Sequence, residues 1–253
     1  MSTSGDSTLR LVHGPGQPGQ ELTADEVVGA YPWPDDRPWV RAMMVTTLDG
    51  AAAGADGLSG SVSSVADKAV FDAVRRYADA VLIGSGTMRA EQYSPMRAKP
   101  EDAERRAAAG QSPAPVIAVV SSSLDLPWDL PVWSESTHRP LVVTDEGGDE
   151  QWLERAREHA EVVELPQATP RAIVEALVGR GLRRIVCEGG PTLLRELVAE
   201  GLVDEADITI APLFAGTGAT PTTAVLPEAA RGRLAHLLTG DGFVMARYLM
   251  GEA

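Results

Sequence analysis

The chain has 253 residues, 44% of them apolar, and a formal charge of −14. That length and apolar share exclude global disorder and suffice for one large domain or two small ones. The negative field repels phosphate backbones and anionic lipid, so neither nucleic acid nor a membrane surface is expected as a partner; an anionic small molecule would need a local pocket of arginine or backbone N–H groups.

In chain order, residues 1–20 are rich in Ser, Gly, Pro and Gln and read as a flexible N-terminal arm. "TADEVVGAY" carries a capping box, Thr23 with Glu26, and predicts a short helix. "YPWPDDRP" is punctuated by proline and cannot be regular structure. "WVRAMMVTT" reads as a strand, and "SSVADKAVFDAVRRYA" as a helix with apolar residues at helical spacing. "ADAVLIG", "PVIAVVS" and "PLVVT" are apolar runs of the kind that form central strands covered on both faces. Between the first two, residues 95–114 form a polar excursion, with a surface helix in "PEDAERRAAAG". "DEQWLERAREHA" predicts a helix, "VVEL" a strand, and "PRAIVEALVGRG" a helix opened by proline and closed by glycine. "RRIVCE", "PTLLRELVAEG" and "ADITIAP" read as strand, helix and strand, and "GFVMARYLM" as a last, antiparallel strand at the sheet's edge. The alternation predicts an α/β three-layer fold with a mostly parallel central sheet, as one domain over 21–253.

The one cysteine, Cys187, lies inside "RRIVC" and reads as a buried structural thiol; it excludes an internal disulfide and the C-x-x-C of a zinc deaminase. The N-terminus has no apolar signal core, and no apolar run approaches the ~18 residues that cross a bilayer, so a soluble, cytoplasmic protein is expected. His13, His138, His159 and His236 show no ligand spacing, and no metal is expected.

In open α/β sheets ligands bind at the carboxyl ends of strands. Three such ends are glycine-rich. In "IGSGTMRAE", Gly84 and Gly86 end a strand before a helix; in "CEGGPTLL", Gly189 and Gly190 do the same. Glycines let backbone N–H groups approach a phosphate at a helix N-terminus, and two such ends could clamp the two phosphates of a dinucleotide. Two ordinary tight turns fit the spacing equally well. The third, "VTTLDGAAAGADGLSGSVSS", has small residues suited to a loop folding over a flat ligand, or to a plain surface loop.

Taken together, "TTLDG", "RRYADAVLIGSGT", "EGGPTLL", "GLVDE" and "ITIAP", in that order from Trp39 onward, resemble the reductase domain of the riboflavin-biosynthesis deaminase/reductase family. The resemblance implies a dihydrofolate-reductase-like fold, NADPH as cofactor and a homodimer. It implies that the backbone of Val45 and Thr46 meets the nicotinamide amide and that Asp49, in "TTLDG", belongs to the cofactor site. Gly84, Gly86, Thr87 and Glu91 would hold the cofactor at one strand end, and Gly189, Gly190, Pro191, Thr192 and Leu193 would wrap its pyrophosphate. Ser121 and Ser122 match a position near the adenosine end. Ser59, Arg75 and Glu188 match substrate contacts, with Arg75 chemically suited to a phosphate. Arg97 lies near a second family arginine, although "EQYSPMR" departs from the usual "DDPxLxxR", and Ser61 replaces the family's aromatic residue.

Asp67 reads in two ways. With Ser64 it makes S-x-x-D, a helix cap. With Phe71 it also matches the D-x-x-x-F spacing of dihydrofolate reductases, where the acid holds the amino-pyrimidine edge of a pterin and can guide a proton. Three functions therefore stand: an NADPH-dependent reductase of 5-amino-6-(5-phosphoribosylamino)uracil or its diaminopyrimidinone relative, a dihydrofolate or pterin reductase, and a non-catalytic NADPH-binding module.

Overall fold

The computed structural model describes residues 8–217, 226 and 228–251. The elements in order are β1 (Leu9–His13), β2 (Glu21–Leu22), α1 (Ala24–Ala30), β3 (Trp39–Thr47), α2 (Val65–Arg75), β4 (Ala80–Gly84) and α3 (Ser85–Glu91). Then come α4 (Ala103–Ala108), β5 (Val116–Val120), α5 (Val132–Glu135), β6 (Leu141–Asp145), α6 (Glu150–His159), β7 (Glu161–Leu165) and α7 (Pro170–Val178). The chain closes with β8 (Arg184–Cys187), α8 (Pro191–Ala199), β9 (Glu205–Ala211), β10 (Gly232–Gly240) and β11 (Phe243–Met250). No helix among the described residues is long and apolar enough to cross a membrane.

One sheet runs β2-β1-β10-β11-β9-β3-β8-β4-β5-β6-β7. From β9 to β7 every pairing is parallel, and β11, β10, β1 and β2 join antiparallel. The mostly parallel, three-layer expectation holds. Side chains alternate across the sheet, as the pleat requires. Leu82, Ala118 and Val143 pack under α7 and α8. On the other face Val81, Ile83, Ile117 and Val142 pack under α3, α5 and α6, while Met43, Val186 and Met245 pack under α1 and α2. Strands buried on both faces explain the unbroken apolar runs in the sequence.

Two expectations need correction at the antiparallel side. Residues 9–13 are not part of a flexible arm: Leu9 and Leu11 are buried, and β1 pairs with both β10 and β2. The first seven residues of the expected arm lie outside the described residues. The antiparallel edge is also wider than one strand, because β11 sits between β9 and β10. The hairpin that places it turns at Asp241-Gly242, both with positive φ (54° and 82°), and pairs Gly240 with Phe243. Asp-Gly between apolar alternations is a strong hairpin signal.

Topology creates the site. The chain leaves β3 for β4, proceeds outward to β7, then returns to insert β8 between β3 and β4. The carboxyl ends of β3, β8 and β4 thus lie side by side at a point where the strand order switches, the place where an open α/β sheet forms its crevice.

At the opposite end of β3 lies a buried ionic cluster. Glu205 is fully buried; its Oε1 is 2.8 Å from Arg41 Nε and accepts from Arg247 Nε at 2.8 Å. Its Oε2 accepts from Arg247 Nη2 at 2.9 Å and from Trp39 Nε1 at 3.0 Å. Arg41 donates to the Pro32 carbonyl at 2.5 Å and lies under the Trp33 ring, 3.8 Å from its centroid. Both Asp207 carboxyl oxygens are buried without a partner among the described residues; burial and then Glu205 raise its pKa well above the ordinary carboxylate range. Replacing Glu205 by Gln leaves two buried guanidiniums without their shared counter-charge. It should cost on the order of 3–5 kcal/mol, read as a lower midpoint of urea unfolding.

His236, packed edge-on to Tyr31, completes the cluster. Burial, followed by Arg247, pushes it down to about 4 from an ordinary 6.5. The unfolded chain therefore takes up a proton below about 6.5 that the folded chain refuses until about 4. Stability should fall through that window as pH drops. Asp207, raised, acts in the opposite sense, so the comparison is with His236→Phe: the wild-type protein should lose more stability than the variant between pH 7 and about pH 5.

Candidate active site

Two glycine-bearing strand ends touch. Gly84 N–H donates to the Gly189 carbonyl at 2.9 Å, and Glu188 N–H donates to the Leu82 carbonyl at 3.1 Å. Gly189 has φ +103°, a conformation that favours glycine. A Cβ on Gly190 would lie 3.0 Å from Thr87 Oγ1, and one on Gly84 would lie 3.6 Å from Gly190 N. Neither α3 nor α8 has a side-chain cap at its N-terminus, and Pro191 opens α8. The first N–H groups of both helices thus lack a side-chain partner. Leu193, Leu194 and Leu197 anchor α8 on the sheet. The result is a floor of backbone with no side chain to obstruct it, facing a cleft of about 1220 Å³. That exceeds the ~300–1,000 Å³ of a typical single-ligand pocket, so there is space for a cofactor and a substrate together.

Most of the cofactor residues expected from sequence line this cleft. Val45, Gly84, Gly86, Thr87 and Glu91 do, as do Gly189 through Leu193. Ser121 and Ser122 line its far end, at the end of β5. Thr46 and Asp49 do not. The Thr46 hydroxyl is buried without a partner among the described residues. Asp49 accepts from the N–H groups of Ala215 and Gly216 at 3.1 and 2.7 Å and from the Thr47 hydroxyl. Those bonds, the Thr47 hydroxyl first, lower its pKa to about 2. Asp49 therefore ties the turn after β3 to the segment after β9. The small-residue loop does border the cleft, through Ala52, Ala53, Gly57 and Ser59. Ser59 N–H donates to Glu91 Oε1 at 2.9 Å, which pins the loop to α3.

Across from the glycine floor, α2 presents Asp67, Phe71 and Arg75 one turn apart. Arg75 grips Glu188 bidentately: Nε to Oε1 at 2.7 Å and Nη2 to Oε2 at 2.5 Å. Its guanidinium lies 4.3 Å from the Phe71 ring centroid and 5.7 Å from that of Tyr93. Tyr93 is pushed well above 10 by burial and then by Glu188. The arginine expected to hold a phosphate is thus engaged in positioning a carboxylate. Asp67 is 6% exposed. Its N–H donates to Ser64 Oγ at 3.1 Å, which is half of a cap, but its carboxylate takes the Ser63 hydroxyl at 2.6 Å and borders the cleft.

Arg97 is not brought in. It pairs with Glu135 on the surface and borders a smaller adjoining pocket. Among the cleft residues that the sequence reading does not single out are Lys68 and Tyr93. Lys68 was hidden next to Asp67 on a helix read for its apolar face. Tyr93 follows Gln92, whose φ of 47° ends α3, and no periodic signal marks it. Cys187 is fully buried and raised to about 12, chiefly by burial, which fits a structural thiol.

The RibD C-terminal domain family matches residues 38–243. The 2,5-diamino-6-ribosylamino-4(3H)-pyrimidinone 5′-phosphate reductase of Archaeoglobus fulgidus is 29% identical over 188 residues, covering 74% of this chain and 85% of that protein. The riboflavin biosynthesis protein RibD of Synechocystis is 30% identical over 187 residues; the alignment takes 74% of this chain but 48% of the relative, so the chain spans about half its length. Among solved structures, a pyrimidine reductase-like protein of Corynebacterium diphtheriae superposes with a TM-score of 0.79 at 27% identity, over 92% of this chain and 100% of that one. A match that begins just before β3 and ends on the first residue of β11 takes in the whole parallel sheet and both glycine loops: the chain belongs to the RibD C-terminal domain family, and its named relatives support an oxidoreductase of riboflavin biosynthesis.

Proposed function

We propose that the protein is an NADPH-dependent reductase of a phosphoribosylamino-pyrimidine, either 5-amino-6-(5-phosphoribosylamino)uracil or its diaminopyrimidinone relative. The observation that carries the reading is the placement of the Arg75–Glu188 pair directly beside the Gly189-Gly190 floor. One side of the cleft offers N–H groups to a dinucleotide; the other holds a carboxylate, fixed by Arg75, with lone pairs left to accept from the N–H edge of a pyrimidine.

The residues fit the cofactor, because any side chain at Gly190 would meet Thr87 where a pyrophosphate has to approach. Gly84, Gly86, Thr87 and Gly189–Leu193 would hold the phosphates, Val45 the nicotinamide amide, and Ser121 and Ser122 the adenosine end. Bound NADPH supplies a hydride. In the substrate, C1′ of the ring-opened ribose accepts the hydride and the attached nitrogen accepts a proton, leaving a ribityl chain. Glu188, fixed by Arg75, orients the pyrimidine so that C1′ faces the floor, and Met43, Met44 and Val45 form an apolar wall that excludes water.

Asp67 favours a second reading. A buried carboxylate bordering the cleft, one turn from Phe71, could instead hold a pterin and pass it a proton. Purified protein with NADPH, given the phosphoribosylamino-uracil and dihydrofolate separately, decides between them by loss of nicotinamide absorbance. The pyrimidine reading expects oxidation with the uracil compound, and silence there with turnover of dihydrofolate overturns it. On the pterin reading Asp67→Asn abolishes dihydrofolate turnover.

Two further outcomes follow from the geometry. Gly190→Val should raise the KM for NADPH at least ~10-fold, about 1.4 kcal/mol of binding, by placing methyl groups against Thr87. Glu188→Gln should lower kcat by about 10²-fold or more, the order expected when a positioned carboxylate loses its charge, while the fold, checked by thermal unfolding, persists.

A further inference from the structure

Arg75 fixes Glu188 from one flank, and a second side chain stands against the same carboxylate. Tyr93 borders the cleft and follows Gln92, whose left-handed backbone (φ 47°) ends α3 and redirects the chain. Its ring packs against the apolar cluster that contains Met88 and Met96, so the phenol is anchored from behind. The Arg75 guanidinium meets two aromatic rings, 4.3 Å from the Phe71 centroid and 5.7 Å from that of Tyr93. Three charged groups act on the phenol: Glu188 at the end of β8, Arg75 on α2 and Glu91 on α3. After burial, Glu188 has the largest effect, and it holds the phenol protonated. The Tyr93 hydroxyl is within hydrogen-bonding reach of that carboxylate. A phenol that keeps its proton can act toward a carboxylate only as a donor.

We propose that Tyr93 donates a hydrogen bond to Glu188 and is a positioning residue for the reduction, fixing which lone pair of that carboxylate the substrate meets. The role in turnover rests on the pyrimidine-reductase reading above. A carboxylate offers about four lone-pair sites. Arg75 takes one on each oxygen. A pyrimidine N–H could use either of the two that remain, and each choice aims the attached ribose carbon differently at the glycine floor. With Tyr93 on one of them, a single direction is left. A misplacement of about 1 Å at the reacting carbons can cost ~10²-fold in rate, so a bond that only orients Glu188 acts on kcat. The Tyr93 ring also adds an aromatic contact to the guanidinium that Phe71 already meets. Hydroxyl and ring thus act on the two halves of one ion pair.

Tyr93→Phe keeps the ring and removes the donor. With the full chain, NADPH and the phosphoribosylamino-uracil, it should lower kcat about 10-fold, the order of one hydrogen bond to a charged group. KM for NADPH and the thermal unfolding curve should stay at their wild-type values. Tyr93→Leu, which also removes the ring, should lose more. A readout independent of turnover places 3-fluorotyrosine at position 93 and follows it by fluorine NMR against pH. Its hydroxyl should titrate above that of free fluorotyrosine, and Glu188→Gln should lower that titration by about one pH unit or more, the size of a neighbouring charge's effect. Three results overturn the proposal and leave the pyrimidine reading standing: a wild-type kcat in Tyr93→Phe, an equal loss of NADPH affinity, or a fluorotyrosine titration that Glu188→Gln does not move. Wild-type protein silent with the uracil compound overturns that reading and takes the kinetic role of Tyr93 with it.

Discussion

The contact on which the site depends is main chain to main chain: Gly84 N–H to the Gly189 carbonyl, 2.9 Å. It extends the parallel pairing of β4 and β8 by one bond beyond the strands and brings two helix N-termini to one place. Gly189 sits at φ +103°, and a Cβ on the adjacent Gly190 would come within 3.0 Å of Thr87 Oγ1. Each uncapped helix start offers N–H groups and the positive end of a dipole, and two starts converge where one would leave a diphosphate half held. The topology makes that convergence possible, because β8 enters last between two strands already laid down in sequence.

Two arginine–carboxylate systems sit at opposite ends of the sheet and differ in solvation. At the base, Glu205 is wrapped by Arg41, Arg247 and Trp39 with no access to water. Burying such a cluster costs desolvation that its contacts must offset, so it is better understood as fixing β3, β9 and β11 in register than as a source of net stability. At the cleft, the Glu188 side chain is 2% exposed but Arg75 is 23% exposed. That pair remains open on the side where a ligand enters. A carboxylate held by an arginine on one flank keeps lone pairs for a substrate N–H on the other.

The sequence made the middle of the molecule legible and its margins obscure. Runs such as "AVLIG" and "PVIAVV" announce strands covered twice, and the two glycine loops declare themselves by interrupting strand–helix junctions. The margins failed for physical reasons. Leu9 and Leu11 belong to a strand whose partner, β10, lies more than two hundred residues away, so local composition gave no hint of pairing. β10 itself mixes Arg, His and Gly with its leucines and was passed over, although Asp241-Gly242 marked its hairpin. In the site, residue types are legible from sequence, but the partners each side chain takes in the fold are not. Arg75 was assigned to a phosphate because guanidinium chemistry suits one; that Glu188 lies across the cleft in bidentate reach is a tertiary fact, 113 positions away in sequence. Asp49 shows the same limit, being used by Ala215 and Gly216.

A strongly acidic chain can hold an anionic ligand only where it concentrates positive potential locally, without changing its net charge. On the side formed by the starts of α3 and α8 no cationic side chain borders the cleft among the described residues; backbone N–H groups and helix dipoles supply the field there. Those groups have fixed positions and are not screened by a flexible stem, which suits a diphosphate that must sit in one register. On the facing side the start of α2 offers less, because its N-cap Ser64 already accepts from the Asp67 N–H and its first turn carries that acid. Along α2 the side chains of Lys68, Phe71 and Arg75 line the cleft as one stripe: an exposed ammonium, an aromatic face and a fork fixed on Glu188. The two sides of the cleft thus differ in kind, with fixed backbone dipoles on one and adjustable side chains on the other.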